Sequence, residues 1–484
     1  MTTASALRHA FSIGTLTLLA ACTVGPNYRL PDNAAINASA ANGTFLASED
    51  DALAKADVPE HWWRLYDDQA LDTFIAAALT ANTDLRVASA SLARSHALLE
   101  EARTGREPTI PVEAGIERSQ AAGEQYLLRR KLPRSTDYET SVSVGYDLDL
   151  FGAIRRGIEA ATADYESVAA AHEVAQINVV AETARAYANI CGLGLELATA
   201  RHSLELQERG LELTQELQRA GRAIDLDVTR SRQLVEQIKS TLPALEGGQR
   251  NALYRLATLT GQPPAAFDQA VTSCATPPRL SQPLPVGDGA SLLKRRPDVR
   301  RAERQLAAAT AEIGLVTAQL YPDVQLGLSL GSLGATSDFL TAPTNFWNIG
   351  SILKWQANQS ATRARIAAAN ATAQLALANF DGVVLESLRE AETALNTYVH
   401  DLRREDRLRA ARNEAAKAAE DAQRLQDGGR ATALIVIDAR RTLVSAEQSV
   451  AQIQTEIAND QIAAFLALGG GWYDPLAGAT VTKE

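Results

Sequence analysis

A long internal duplication constrains the fold of this chain more than any other feature of its sequence. Residues 84–88 are echoed by residues 298–302 at an offset of 214 residues, and residues 220–223 by residues 428–431 at an offset of 208. A period this long is not that of a solenoid built from short repeats. We therefore expect two copies of one domain-sized unit, with the same order of elements in each copy.

Each copy begins with a helix. Apolar residues at helical spacing predict a helix over about 66–105 in the first copy and about 289–319 in the second. Pro108 and Pro322 follow these helices, and a proline is a common helix stop. The residues after each proline change to a period of two, which indicates that strands begin there.

Two alternating stretches in each copy predict a β-hairpin. They lie at 112–117 and 141–148 in the first copy, and at 324–330 and 347–355 in the second. Polar or Pro-containing loops separate them, at 119–137 and 332–345. A period of two with small or polar residues on one face is typical of a membrane β-strand. A soluble hairpin packed on the helices would show the same pattern, so alternation alone leaves both interpretations open.

Long helical regions follow each hairpin. They run over about 155–219 and 226–260 in the first copy, and over about 359–426 and 431–468 in the second. A helix of about 65 residues is about 98 Å long, and this length indicates coiled-coil-like packing. Gly221 in one copy and Gly428 with Gly429 in the other suit a tight reversal between the two helices. Each copy therefore reads helix, β-hairpin, long helix, turn, long helix, which makes the chain mainly α with two β-hairpins.

Four strands per chain also bear on assembly. Four strands cannot close a barrel, and an open sheet edge in lipid would leave backbone groups unsatisfied. If the hairpins lie in a membrane, several chains must share one barrel. Two chains would reach the eight strands at which bacterial barrels begin, and three chains would give twelve strands and a tube of twelve helices.

Residues 1–21 have the pattern of a bacterial export signal that ends before a lipid-accepting cysteine. A basic start is followed by an apolar run over residues 10–19 and by small residues before Cys22. A lipid on the Cys22 thiol would anchor the mature chain, because acyl chains contribute about 0.8 kcal/mol per buried CH₂. Thr23, in place of Asp, favours sorting to the outer membrane. An ordinary signal peptide with a chance cysteine is the alternative.

These features divide the chain into segments. They are a signal peptide (1–21), a lipidated extended segment (22–65), a first repeat (66–262), a Pro-rich connection (263–288), a second repeat (289–470) and a C-terminal tail (471–484). After the signal no apolar run of 18 or more residues follows, so the sequence predicts no transmembrane helix.

Charge and cysteine content narrow the function. The formal net charge of -11 argues against a nucleic-acid partner. Besides Cys22 the chain holds Cys191 and Cys274. An oxidising compartment allows them to form a disulfide. We nevertheless expect them to be unpaired, because Cys191 lies in a helical run and Cys274 in the Pro-rich connection.

Signatures of an active site are missing from the sequence. His172 and Glu173 lack the second histidine of a zinc-binding helix, and no Cys-x-x-Cys occurs. Residues 351–354 fit Ser-x-x-Lys, but its partner motifs are absent and the run lies in a predicted strand. We expect no catalytic residue, no metal site and no cofactor other than the covalent lipid.

Several motifs resemble those of a known family, the outer-membrane efflux lipoproteins of the TolC and OprM type, which include NodT-like members. The matching runs are residues 22–28, 62–68, 146–152, 293–300 and 469–472. They are spread over essentially the whole chain. Residues 293–300, at the start of the second repeat, form the most specific of these matches.

The resemblance implies a homotrimer in the outer membrane of a Gram-negative bacterium. In this family a twelve-stranded β-barrel crosses the membrane and continues as a twelve-helix α-barrel in the periplasm. The family's members are exit ducts, fed by an inner-membrane RND transporter through a periplasmic adaptor protein, and they expel drugs and other toxic compounds. A duct for type I protein secretion, or a structural periplasmic coiled-coil lipoprotein with its hairpins outside the membrane, are the alternatives.

The family's helix–turn–helix tips contact the adaptor, and the resemblance carries this role to Gly221, Arg222, Gly429 and Arg430. Nearby arginines at 219 and 230, together with Arg222 and Arg430, could bridge the neighbouring acids across helices and hold a closed state. Exposed ion pairs are individually weak, so such a latch would act only as a network.

The family also narrows its tube with rings of aspartate just beyond the second tip. Asp438 falls on one such position, and Ile435 departs from the family at the other. After the first tip, Asp227 falls on the corresponding acid, with Asp225 two residues before it. An acid near a helix N-terminus is favoured by the helix dipole, so Asp227 and Asp438 both have this second interpretation, although Asp438 lies about two turns into its helix and the ring is favoured there.

A further departure lies at the exit of the second hairpin. The family usually leaves this hairpin through a Pro and a Phe-Asp-x-Gly-like turn, whereas residues 353–360 have neither, so this turn must differ. Trp347 and Trp355 either lie at membrane interfaces, as aromatic belts do, or pack between the strands and the helices.

Overall fold

The structure is a computed structural model that describes residues 23–470, so Cys22, residues 1–21 and residues 471–484 lie outside the described residues. The described chain is mainly helical. The first half contains α1 (Gln69–Ala81), α2 (Thr83–Thr104), β1 (Val112–Ser119), β2 (Ser135–Leu148), α3 (Ala153–Arg219) and α4 (Asp225–Leu259). The second half contains α5 (Gly289–Arg295), α6 (Pro297–Ala318), β3 (Asp323–Ala335), β4 (Asn345–Lys354), α7 (Ser360–Asp427) and α8 (Ala433–Ala467). Each half thus runs through the same order of elements.

The four long helices agree with the prediction. Helices α3 and α7 have 67 and 68 residues, and α4 and α8 have 35 residues each. Each of their ends lies within two residues of the predicted position. Among the described helices, none is both long enough and apolar enough to cross a membrane.

The helix predicted over 66–105 is in fact two helices, because Asn82 interrupts it. The Asn82 backbone is extended (φ -62°, ψ 134°) and ends α1. Its side-chain oxygen accepts from the backbone N–H groups of Asp84 (2.8 Å) and Leu85 (3.2 Å), which caps α2. The Asn82 amide also donates to the carbonyl oxygen of Leu259 at 3.0 Å, so the break is fixed to the end of α4.

The helix predicted over 289–319 is also divided, at Arg296. This residue has an extended backbone (φ -69°, ψ 116°) and separates α5 from α6. The cause is local, since the ring of Pro297 disfavours helical geometry in the residue before it. Pro297 itself takes the first position of α6, where its missing N–H costs nothing.

Strands β1 to β4 form one antiparallel sheet in the order β1-β2-β3-β4, and the short segments Leu53–Ala54 and Leu284–Pro285 pair in parallel as a separate two-stranded sheet. Strand β2 begins at Ser135, six residues before the alternating stretch that predicted it. Asp137 and Glu139 obscured this part of the strand in the sequence. Tyr138 between them is buried, and its hydroxyl lies 2.7 Å from Ser332 Oγ and 2.8 Å from Thr344 Oγ1. These hydrogen bonds tie the start of β2 to the second hairpin.

The two faces of the sheet differ in polarity. On one face, strand register aligns apolar side chains in cross-strand rows, which include Val112–Val142–Leu330–Trp347 and Val144–Leu328–Ile349. On the other face, small and polar residues align, as in Ser143–Ser329–Asn348 and Gly145–Gly327–Gly350. Most of the apolar row residues are exposed within the single chain. This arrangement is the polarity pattern that the alternation predicted.

The chain divides into two compact units, and neither coincides with one copy of the duplication. Within the described residues, the first unit takes residues 23–31, 92–168 and 301–380. The second unit takes residues 32–91, 169–300 and 381–470. Each unit therefore contains parts of both copies, and the long helices α3 and α7 contribute to both units.

In the first unit, the residues that follow Cys22 are bound to the end of the first hairpin. The backbone N–H of Val24 donates to the Phe151 carbonyl oxygen at 3.2 Å. Arg156, only 2% exposed, donates from Nε to the Val24 carbonyl oxygen (3.2 Å) and from a terminal nitrogen to Asn27 Oδ1 (2.8 Å). Gly25 lies against the backbone of α6, where any side chain would collide. Residues 24–27 are therefore held against the start of α3, the end of the first hairpin and α6.

The core of the second unit lies where α3 and α4 meet the Pro-rich connection. Its buried members are Ala186, Ile190, Leu253, Leu256, Ala257, Leu259 and Phe267. Also in the second unit, Trp62 stacks on Phe465 of α8 with ring centroids 4.7 Å apart. The segment before α1 is thus packed on α8, and it contains short 3-10 turns as well as extended chain.

The two remaining cysteines form a disulfide, contrary to our expectation. Cys191 in α3 is bonded to Cys274 in the Pro-rich connection, with their Cα atoms 4.7 Å apart. The connection returns over α3 so closely that a side chain at Gly194 would collide with the Cys274 carbonyl oxygen. The Gln249 amide holds the same segment by donating to the Thr272 carbonyl oxygen at 2.9 Å. This return brings a helical cysteine and a loop cysteine together.

Candidate gate at the helix–helix turns

The turn between α3 and α4 closes around Gly221. Its φ of 74° is left-handed, a conformation that glycine adopts without steric cost. The Gly221 N–H donates to the Gln218 carbonyl oxygen (2.9 Å), and the Arg222 N–H donates to the Leu217 carbonyl oxygen (2.8 Å). These two bonds form a Schellman motif, which satisfies the last carbonyl groups of α3 and reverses the chain.

The turn between α7 and α8 has the same geometry. Gly429 has φ 70°. Its N–H donates to the Gln426 carbonyl oxygen (2.9 Å), and the Arg430 N–H donates to the Leu425 carbonyl oxygen (2.8 Å). The predicted tip residues therefore occupy equivalent positions in the two turns. Arg222 and Arg430 are both exposed.

Exposed apolar side chains follow each turn, and only Ile435 among them stands out from the sequence, as a departure from the family. Ile224 and Leu226 follow the first turn, and Leu434 and Ile435 follow the second. Each lies at or near the start of a helix with a buried apolar stripe, so helical periodicity alone does not distinguish them. Their position next to a tight turn was the available signal, since a helix end that packs on nothing has no need of apolar residues.

The acids after the first turn contact their own chain. Asp227 is half-buried, and its carboxylate accepts from the backbone N–H of Ile224 at 3.3 Å. This is the helix N-terminal role that the sequence analysis left open for Asp227. Asp225, which is exposed, accepts a hydrogen bond from the Gln218 amide across the turn. Both acids therefore stabilise the turn within a single chain.

Asp438 is placed differently. It lies in the second turn of α8, is 61% exposed, and forms an ion pair with Arg441 of the same helix at 2.6 Å. It caps no backbone group, so helix capping does not explain it. Ile435, three residues earlier on the same helix, exposes an apolar side chain at the position where the resembled family has a second acid.

The arginine latch is not formed within one chain. In the described part of the chain, no ion pair joins Arg219, Arg222, Arg230 or Arg430 to the three acids. Arg219 instead donates to the carbonyl oxygen of Gln215 within its own helix (3.4 Å). The latch across helices stays a prediction.

Beneath the turns, the helices of the two copies pack on one another. Leu204 of α3, Leu234 and Ile238 of α4, and Val444 of α8 form one apolar cluster. Arg440 of α8 donates to the Gln423 side chain of α7 at 2.7 Å. Burial lowers the pKa of the Arg440 guanidinium, although the Asp427 charge acts in the opposite direction. Both turns therefore rest on a packed support that joins the two copies.

The exits of the two hairpins differ within this chain. After β2, the Asp149 carboxylate accepts from the backbone N–H groups of Ile154 and Arg155, both at 2.9 Å, and caps α3. After β4, the indole of Trp355 and the amide of Gln359 both donate to the Leu320 carbonyl oxygen, at 3.0 and 2.8 Å.

The two tryptophans of the second hairpin have different surroundings. Trp355 joins the end of the hairpin to the end of α6 by its hydrogen bond to Leu320. Trp347 is exposed on the apolar face of the sheet, opposite Leu330. Trp355 is thus hydrogen-bonded to the end of α6 although its side chain is 56% exposed, and the interfacial role of either tryptophan stays a prediction.

Two other site predictions concern lipidation and metal binding. The predicted lipidation residue, Cys22, lies outside the described residues. Among residues 23–470, no group of three or more His, Cys, Asp or Glu side chains is arranged to hold a metal ion.

Comparison with known proteins gives a consistent result over the whole chain. A model of a family described as outer membrane efflux protein matches residues 74–262 and 290–470, that is, both copies of the duplication. Nodulation protein T of Rhizobium leguminosarum bv. trifolii is 26% identical over 470 residues, which cover 96% of this chain and 97% of that protein. Outer membrane protein OprJ of Pseudomonas aeruginosa is 28% identical over 473 residues, with 96% and 97% covered.

The fold is also that of solved channels. The structure of the outer-membrane channel OprN superimposes with a TM-score of 0.87 at 32% identity, over 93% of this chain and 100% of that one. The similarity extends over the sheet and the helices alike.

Proposed function

Because the chain belongs to the outer membrane efflux protein family, we propose that it is the exit duct of a tripartite efflux system. Members of this family are outer-membrane channels, so the chain is not an enzyme. An inner-membrane RND transporter would supply drugs or other small toxic compounds, and a periplasmic adaptor would join transporter and duct. The observation that carries the proposal is a four-stranded sheet with an exposed apolar face, from which helices of 67 and 68 residues continue.

The working duct is a homotrimer. Strands β1 and β4 are the outer strands of the sheet, and their free edges need partners in lipid. Three chains supply twelve strands, which close one shared β-barrel with the apolar face towards lipid. Their long helices then supply the twelve-helix α-barrel that carries the passage into the periplasm. The exposed Trp347 would belong to the aromatic belt of the barrel.

A covalent lipid on Cys22 anchors each chain in the outer membrane. The hydrogen bonds of Val24 and Arg156 support this assignment, because they hold the residues just after Cys22 at the end of the first hairpin. A lipid attached there starts close to the strands, where the bilayer would lie.

The periplasmic gate is a ring of three Asp438 carboxylates. Asp438 is exposed and does not cap its helix, so its charge is available to a narrow axis shared by three chains. Three carboxylates around such an axis repel one another, attract cations and oppose anions. Asp225 and Asp227 lie nearby and add negative charge, although they also stabilise the first turn. Ile435 replaces a second ring, which weakens the cation trap.

The two turns form the adaptor-binding surface. Each presents an exposed arginine beside two exposed apolar residues: Arg222 with Ile224 and Leu226, and Arg430 with Leu434 and Ile435. Exposed apolar patches rimmed by polar groups mark interaction sites. The matched composition of the two turns fits an adaptor that binds both copies in the same way.

Dye efflux in the native host tests this function. Deleting the gene should raise the accumulation of a fluorescent efflux substrate, and the wild-type gene should restore efflux. The double variant Ile224→Asp, Leu434→Asp should behave like the deletion, because charge would oppose the apolar adaptor contact. The matched control is Ile224→Leu, Leu434→Ile, which keeps both side chains apolar and should restore efflux, with protein levels compared by immunoblot. Unchanged dye accumulation in the deletion strain, or normal efflux by the Asp variant, would contradict the proposal.

A further inference from the structure

The loop between β1 and β2 carries a concentration of positive charge that the transport function does not use. This cationic loop, residues 120–134, contains Arg129, Arg130, Lys131 and Arg134 but only one acid, Glu124. All four cations are exposed. Within the described residues none of them forms an ion pair, although the whole chain has a net charge of -11. Unneutralised positive charge in an acidic chain indicates an anionic partner for this loop.

The cationic loop has a defined structure. The N–H of Leu128 donates to the Gly123 carbonyl oxygen at 2.9 Å, and the N–H of Leu127 donates to the Glu124 carbonyl oxygen at 3.0 Å. The carbonyl oxygen of Arg130 lies so close to Gly123 that no side chain fits there. The amide of Gln120 closes the base of the loop by donating to the Leu132 carbonyl oxygen at 2.7 Å.

This folding creates a cavity of about 420 Å³. The residues that line it include Arg129, Arg130 and Lys131, together with Leu128 and residues 120–124. Three cations around one cavity suit a phosphate group, because guanidinium groups form charge-assisted, bidentate hydrogen bonds with phosphate oxygens.

Apolar side chains next to the cations point to a lipid rather than to a soluble anion. Leu127 is 92% exposed, and Tyr126 and Leu128 beside it are also exposed. Basic residues combined with exposed apolar side chains are typical of segments that bind at a membrane surface. The amphipathic composition therefore fits a ligand with a phosphorylated headgroup and an apolar body.

The loop of the second hairpin offers a comparison within the chain. Residues 336–344 contain no Lys or Arg, and their one charged residue is Asp338. This loop also exposes apolar side chains, at Phe339 and Leu340. Its backbone is held by the Leu340 N–H, which donates to the Tyr138 hydroxyl at 2.8 Å. Of these two described loops, therefore, the cationic loop is the one that combines exposed apolar side chains with positive charge.

We propose that the cationic loop binds the phosphorylated headgroups of lipids in the outer leaflet of the outer membrane. The inference rests on the proposed function for its orientation: α2 precedes β1 and α3 follows β2, so this loop lies at the end of the hairpin away from both helices. With the helices in the periplasm, that end faces the outer leaflet. Each chain of the trimer supplies one such site.

The test is lipid binding to the purified, detergent-extracted full-length protein, measured by native mass spectrometry with lipid A that carries its two phosphates. The variant Arg129→Gln, Arg130→Gln, Lys131→Gln, Arg134→Gln should bind at least about tenfold more weakly. Enzymatic removal of the lipid's phosphates should weaken binding to the wild type to a similar extent. Inorganic phosphate should not displace the lipid.

The matched control removes the same charge elsewhere, through Arg86→Gln, Arg94→Gln, Arg232→Gln and Arg250→Gln, all of which are exposed and without ion pairs in the described residues. This control should bind like the wild type. Equal binding by the loop variant, equal binding of dephosphorylated lipid, or displacement by inorganic phosphate would overturn the inference. The conductance of the same samples separates the two proposals. A conducting trimer without phosphate-dependent binding refutes only the lipid site, whereas a protein that neither trimerises nor conducts refutes the duct.

Discussion

The two long helices that follow the hairpins are fastened to the same Pro-rich connection by different kinds of bond. Helix α3 is held by the Cys191–Cys274 disulfide. Helix α7 is held by Arg279, whose guanidinium forms two hydrogen bonds, at 2.8 and 2.7 Å, with the Glu405 carboxylate, which is 3% exposed. The first copy thus attaches its long helix to the connection by a covalent bond, and the second copy does so by an ion pair. The first fastening depends on redox state, and the second depends on pH.

The two helix–helix turns share one backbone geometry but differ in the placement of their acids. Their backbone is the same, with a left-handed glycine and two equivalent hydrogen bonds in each. Their acids differ, since Asp227 caps its helix and Asp438 does not. Turn geometry has therefore been kept in both copies, whereas charge has been placed separately in each.

The largest expected effect on stability comes from loss of the Cys191–Cys274 disulfide. Replacing both cysteines (Cys191→Ser, Cys274→Ser) should lower the free energy of unfolding by about 2–5 kcal/mol, because the disulfide restricts the unfolded chain. Urea unfolding of the detergent-solubilised protein, followed by tryptophan fluorescence, measures this change. Reduced wild type should match the variant, and reductant should not affect the variant. Equal stability of oxidised and reduced wild type would show that the disulfide adds nothing to the fold.

The Arg279–Glu405 ion pair should contribute less to stability than the disulfide, and its contribution should depend on pH. Burial alone would raise the pKa of Glu405, but hydrogen bonds and charge from Arg279 and Arg409 outweigh it and lower the pKa to about 2. The stabilisation is therefore complete above the ordinary glutamate pKa of 4.5 and is lost as the pH falls towards about 2.

Glu405→Gln should cost about 1.5–3 kcal/mol at pH 7, the usual contribution of hydrogen bonds to a charged group. It should also remove this part of the acid sensitivity, which unfolding curves between pH 7 and pH 3 would reveal. Glu386→Gln is the control, because Glu386 lies on the same helix in an exposed pair with Arg389 and should change little. An unaltered pH dependence in Glu405→Gln would contradict the account.

The shared turn geometry predicts equal effects in the two copies. Gly221→Ala and Gly429→Ala should each cost about 1–2 kcal/mol, because alanine is strained at their positive φ angles. Gly247→Ala is the control: this glycine lies inside α4 with open space around it, so alanine should stabilise the helix. Unequal losses at the two turns in urea unfolding would show that the turns are not equivalent.

The smallest effects on stability are expected for Asp227 and Asp438, and they should differ between these two acids. Asp227→Ala should cost about 0.3–1 kcal/mol, since it loses its interaction with the start of α4. Asp438→Ala should cost less than about 0.5 kcal/mol, since only an exposed pair with Arg441 is lost. In planar bilayers the order should be reversed, with more leak from Asp438→Ala than from Asp227→Ala. Equal leak in the two variants would remove the distinction between the acids.

The long helices and their turns could be predicted from the sequence because their signals are local. Helical periodicity persists over many turns, and Gly221 and Gly429 stand at its interruptions. The division at Arg296 was also encoded locally, by the proline that follows it. Asn82 gave a weaker signal, because an asparagine within a periodic stretch caps a helix only if its side chain turns to the backbone.

The disulfide and the ionic fastening could not be predicted, because both depend on where a loop returns. Cys191 and Cys274 are separated by 83 residues, and Arg279 and Glu405 by 126. No local sequence pattern predicts that residues 263–288 pass over α3 and α7. At the candidate gate, the position of Asp438 came from the resemblance, whereas its exposure and its lack of a capping role came only from the structure.

The most direct test of the central claim is the single-channel conductance of the purified, detergent-extracted protein in a planar bilayer, together with its mass in detergent. The account predicts a trimer with small, mostly closed conductance, which Asp438→Ala or replacement of Arg222 and Arg430 by Ala would open. A mass below three chains with no conductance under any condition would contradict the exit-duct account and would favour a structural periplasmic lipoprotein.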